Sequence, residues 1–152
     1  MQDPLDKIND LNKELYDFSQ FVDSSVLISK ADAKGNITYV NKKFEEVSGW
    51  SLEEVVGKNH NIVNSGIHNK NFWSNMYKTV IVDKGIWNSV VTNKTKNGDF
   101  YYVDTYIKAE FDINGKLMGF ISIRHDVTLV KKNELIATIE GKAENILIGE
   151  RV

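Results

Sequence analysis

Apolar residues recur at Ile8, Leu11, Leu15, Phe18 and Val22, three and four positions apart, with Asp, Asn, Lys and Glu between them. That spacing predicts a helix over residues 1–24 with one apolar stripe, and Pro4 suits its first turn. The stripe must be covered by its own domain or by a second copy, and its near-heptad spacing points to a homodimer. From residue 26 the pattern changes to short strands. Residues 26–28 and 37–40 flank a turn containing Gly35, a hairpin signal. Asn41 is placed to cap a short helix ending at Gly49, although Phe44 stands where a capping box needs an acid; Ser51 with Glu54 forms a proper box for the next helix, closed at Gly57.

Residues 69–82 carry Phe72, Met76 and Val80 at helical spacing. Three strands follow, over 86–94, 100–111 and 117–125, joined at Asn97–Gly98 and Asn114–Gly115. In the second of them Tyr101, Val103, Thr105, Ile107 and Ala109 share a face, opposite Tyr102, Asp104, Tyr106, Lys108 and Glu110. Two opening strands, several short helices and a closing meander predict an α+β domain, one antiparallel sheet with the helices folded across a single face. Thr128 caps a last helix, which Gly141 is expected to break.

Within this pattern, residues 57–73 (GKNHNIVNSGIHNKNFW) place five asparagines and two of the chain's three histidines beside apolar Ile62, Val63, Phe72 and Trp73. Such amides either satisfy turn backbones or line a ligand pocket. Asn59, His60 and Asn61 are the pocket-side candidates; Asn64 to Gly66 reads as a turn, Asn69 as a helix cap and His68 as solvent-facing.

At 152 residues, 41% of them hydrophobic, the chain supports one domain with a real core. A net charge of -2 with interspersed signs offers no basic face for nucleic acid. No apolar run is long enough for a membrane span, and residues 1–12 lack the pattern of a secretory signal. The absence of cysteine removes disulfides, thiolate nucleophiles and cysteinyl-flavin photochemistry, and fits a reducing, cytoplasmic setting.

NITYVNKKFEEVSGWSLEEVVGKNH, GIWNSVVTNKTKNGDFYYVDTYI and GFISIRHDVT, taken in order, resemble the PAS sensory-domain family over residues 25–128. The resemblance implies a five-stranded antiparallel sheet enclosing a pocket with short helices, an N-terminal cap helix over 1–24, and a connector over 129–152. It also implies a non-enzymatic input module whose Asp126, Val127 and Thr128 lead to an output domain such as a histidine kinase, chemotaxis transducer or cyclase.

Within that family the chain is most similar to the FAD-binding redox and aerotaxis sensors. That similarity implies a noncovalent FAD contacted by Asn59, His60, Asn61, Trp73, Trp87, Asn93, Ile121 and Ile123. A flavin needs an apolar slot for its ring and amides for its polar edge. The alternatives are a cofactor-free interaction module or a sensor of another small ligand. Haem is a weaker candidate through His60, His68 or His125. Carboxylate capture by Arg124 is weaker too, since the neighbouring Asp126 is expected to pair with it or leave it in solvent. Ser65, His68 and Asp83 lack any motif that would orient a nucleophile.

Overall fold

The computed structural model describes residues 1–150. Twelve segments follow one another: α1 (Pro4–Ser25), β1 (Leu27–Asp32), β2 (Ile37–Val40), α2 (Lys42–Ser48), α3 (Leu52–Val55), a 3-10 turn (His60–Val63), α4 (Lys70–Tyr77) with a π-helical extension (Lys78–Val82), β3 (Trp87–Lys94), β4 (Phe100–Phe111), β5 (Leu117–Asp126) and α5 (Thr128–Glu150). The five strands form one antiparallel sheet in the order β2-β1-β5-β4-β3, which puts the chain's first and last strands side by side at its centre.

Local chemistry sets most of the boundaries. Asn41 Oδ1 accepts from Phe44 N at 3.1 Å and from Ile28 N at 2.9 Å, so one buried amide caps α2 and fixes it to β1. Its Nδ2 donates to Val26 O at 2.8 Å and to Asp23 Oδ1 at 3.2 Å, anchoring the end of α1 as well. The capping box of Ser51 and Glu54 forms in both directions. In β5, a Cβ on Gly119 would lie 2.2 Å from Ala31 O, so β1 approaches where no side chain fits.

The core lies between the inner face of the sheet and the short helices. It is built on Leu27, Ile37, Phe44, Val55, Val80 and Val103, each no more than 1% exposed, and each such side chain contributes about 1.5–3 kcal/mol by burial. The two faces of β4 divide as the alternation predicts, with Tyr101, Val103 and Thr105 buried.

Two expectations differ from the structure. The helix over 69–82 changes to π geometry at Lys78, where Asp83 N bonds Lys78 O five residues back. Helix α5 runs through Gly141 rather than ending there. Glycine in a helix interior costs only about 1 kcal/mol against alanine, too little to stop a helix flanked by good helix formers.

No helix among the described residues is long and apolar enough to cross a membrane. The stripe of α1 is uncovered, with Ile8, Leu11, Leu15 and Phe18 all more than half exposed.

Candidate functional site

The polar stretch after α3 is a strap that closes the concave face of the sheet from one edge to the other. At the β2 edge, Ile37 N donates to Lys58 O at 2.8 Å and His60 N to Gly35 O at 2.9 Å, and Asn36 bridges Asn59. Gly35 takes φ +84 here, and a Cβ would press to 3.3 Å from Asn59 Nδ2. At the β3 edge, Asn64 bridges Asn93, Ser65 Oγ donates to Thr92 O at 2.6 Å, and Thr92 N donates to His68 Nε2 at 2.9 Å. One segment thus pairs with part of each edge.

Beneath the strap lies a cavity of roughly 370 Å³, within the range of about 300–1,000 Å³ usual for small-molecule sites. Val63, Met76, Val91, Ile107 and Phe120 supply apolar wall. Asn93, 4% exposed, lines it, with its amide beside the Tyr101 hydroxyl. Trp73 Nε1 and Ser122 Oγ, on residues that also line it, are buried without partners. Unpaired buried polar atoms are costly to the fold.

Asn59, His60, Asn61, Trp73 and Asn93 all line the cavity. Asn59 also does turn work, its Oδ1 accepting from Asn61 N at 3.0 Å. Trp87 is buried behind the lining, packing edge-on against Phe72 with ring centroids 5.2 Å apart. Ile121 and Ile123 are a correction: they lie on the outer face of β5, and Phe120, Ser122 and Arg124 occupy the cavity face. The inner face of this strand is its polar one, so Ile121 and Ile123 fall outside the cavity.

His68 is a second correction. It is half-buried; besides accepting from Thr92 N it stacks on Phe72, with centroids 3.9 Å apart. Ser65 and His68 both serve the backbone of Thr92 and do not form a pair. His125 is exposed on the outer face of β5.

Arg124 is the third correction. It is 4% exposed and forms no ion pair among the described residues. Asp126 instead gives its Oδ1 to Thr128, at 3.0 Å from N and 2.6 Å from Oγ1. Arg124 Nη1 donates to Ser29 Oγ at 2.9 Å, and Nη2 lies 3.0 Å from His60 Nε2, itself 2.9 Å from Ser29 Oγ. A guanidinium can only donate, so His60 Nε2 is the unprotonated acceptor and its proton resides on Nδ1.

The electrostatics agree. Burial, with the Arg124 charge added, holds the His60 imidazole down at about 3. Burial lowers Arg124 to about 10, leaving it charged at neutral pH, and pushes the nearby Tyr101 phenol up to about 12.

Beyond the cavity, β5 leads into α5. Thr128, tied to Asp126, accepts through Oγ1 from Tyr102 N at 2.9 Å, and Val127 N donates to Tyr102 O at 2.8 Å. The start of α5 is therefore fastened to β4 as well as β5.

Residues 18–127 match the family described as the PAS fold. The aerotaxis receptor of Escherichia coli strain K12 is 35% identical over 119 residues, 78% of this chain and 22% of that protein. A nitrogen fixation regulatory protein of Klebsiella pneumoniae is 27% identical over 112 residues, 74% of this chain and 22% of that protein. The chain thus spans about a fifth of the length of these two relatives. The crystal structure of the PAS domain of a protein from Colwellia psychrerythraea superposes with a TM-score of 0.64 at 20% identity, covering 75% of this chain and 97% of that one. The family match runs from the last two turns of α1 to the residue after β5, and the chain belongs to the PAS family.

Proposed function

We propose that this chain is the input domain of a signalling protein and senses redox state or oxygen through a noncovalently bound FAD. The observation that carries this reading is the cavity wall: an apolar slot with the amide of Asn93 on its lining. An amide both donates and accepts, as the alternating donors and acceptors of a flavin edge require. The aerotaxis and nitrogen-fixation relatives support the sensory part of the reading.

When bound, the flavin would supply reversible uptake of electrons and protons at its polar edge. The chain's part is to hold and report. Val63, Met76, Val91, Ile107 and Phe120 exclude water from the ring faces. Asn93 is held by β3 pairing and by its bridge to Asn64, so a change in the hydrogen bonds its amide makes is felt by both strap and sheet. Along β5, Arg124, Asp126 and Thr128 connect the cavity to α5, and the change is a shift between two packings rather than catalysis. A second copy covers the stripe of α1, and α5 leads to an output domain of the kinase, chemotaxis-transducer or cyclase type.

Titrating ligand-free protein with FAD tests the reading. Saturable binding at one FAD per chain, with the flavin fluorescence altered, is expected. Wild-type protein that takes up no FAD would overturn it and favour the cofactor-free interaction module, to which the uncovered stripe of α1 also points.

A further inference from the structure

We propose that Arg124 is the charge complement of what the cavity binds: the site takes a ligand edge bearing negative charge and, in the flavin reading on which this part rests, holds the reduced, anionic ring more tightly than the oxidised, neutral one.

Arg124 is the one charged side chain in the cavity lining among the described residues. Its two side-chain partners, Ser29 and His60, are both neutral. The acid closest to it along β5, Asp126, is spent on Thr128. A buried cation without a counter-charge is expensive, and the same space filled by an apolar side chain would cost the fold less. The geometry also keeps the charge in place: Ser29 and His60 accept from two guanidinium nitrogens and offer no negative charge in return. Such a cation is oriented yet uncompensated, and an anionic ligand edge supplies what it lacks.

A bound flavin would gain negative charge on its polar edge when an external donor of two electrons, with one proton, reduced it, and Arg124, held by Ser29 and His60, would supply the matching positive charge. A fixed cation in a dry cavity favours that form over the neutral one.

The test compares wild type with Arg124→Met and the charge-keeping Arg124→Lys. In the first measurement the FAD-loaded proteins are reduced anaerobically with dithionite against a dye of known potential. Arg124→Met should bind reduced flavin at least about tenfold less well relative to oxidised flavin, a fall of ~30 mV for a two-electron couple. Arg124→Lys should keep most of the wild-type potential. An unchanged potential in the Met variant, or equal loss of FAD by both variants, would overturn the proposal. The second measurement needs no flavin. Ligand-free Arg124→Met should melt at or above the wild-type temperature, whereas a drop of several degrees would show Arg124 to be a structural tie between β1, β5 and the strap. Wild-type protein that bound no FAD would defeat the flavin reading alone, and the ligand-free melting comparison would still decide the role of Arg124.

Discussion

Asn93 and His60 do different work on the same cavity, and their substitutions should separate it. Asn93→Ala removes one amide from the cavity lining, so FAD affinity should drop by about 2–10-fold, one neutral hydrogen bond. A fluorescence titration checks this, and unchanged affinity would remove Asn93 from the site. His60 should instead make stability depend on pH. Its folded value, about 3, lies below the ordinary 6.5. The unfolded chain therefore binds the proton more readily, and the stabilisation is complete above pH 6.5 and is lost as pH falls through the window towards 3. The slope reaches roughly 1.4 kcal/mol per pH unit. His68, lowered by burial as well, acts in the same direction. Urea denaturation at pH 7 and pH 5, above the carboxylate range, should show a smaller pH effect in His60→Gln than in wild type. Equal effects would contradict the enclosed, neutral imidazole.

At the scale of elements, α1 and the β1–β5 junction make opposite predictions. Starting the chain at Ser25 should convert a dimer to a monomer in sedimentation experiments, since the exposed stripe of Ile8, Leu11, Leu15 and Phe18 goes with the helix. A dimer that persisted would place the interface elsewhere. Gly119→Ala should leave the assembly unchanged but lower stability by about 1–3 kcal/mol, because its Cβ has to displace the backbone of Ala31. Chemical denaturation measures this directly.

Much at this scale was legible in the sequence because it is local. The caps at Asn41, Ser51 and Asn69 act within three residues, and the hairpin glycines act within one turn. The illegible part is long-range. Whether Ile121 or Ser122 faces the core depends on how β5 pairs with β1 and β4, partners about ninety residues away in one case. Arg124 is illegible for the same reason: Asp126, two residues on, is its neighbour in sequence, but Ser29 and His60 are its partners in space. Ser122 and Arg124 sharing one face of a central strand was the available signal, since polar groups on a buried face break the fold's own rule where a site is to be made.

For the whole molecule, a five-stranded sheet closed by a strap of short helices encloses a cavity, and its central strand β5 runs on into α5. The strap pairs with part of each sheet edge, the inner face is partly polar, and α5 is tied to β4 through Thr128 and Tyr102. That arrangement belongs to a PAS domain, and the central claim built on it is that the cavity holds flavin. The visible absorption spectrum of the full chain, purified under mild conditions, tests that claim most directly. The account predicts the two bands of oxidised flavin, in the near-ultraviolet and the blue, bleached by dithionite and restored by air. A colourless protein that remained colourless after incubation with excess FAD and removal of the unbound cofactor would contradict it.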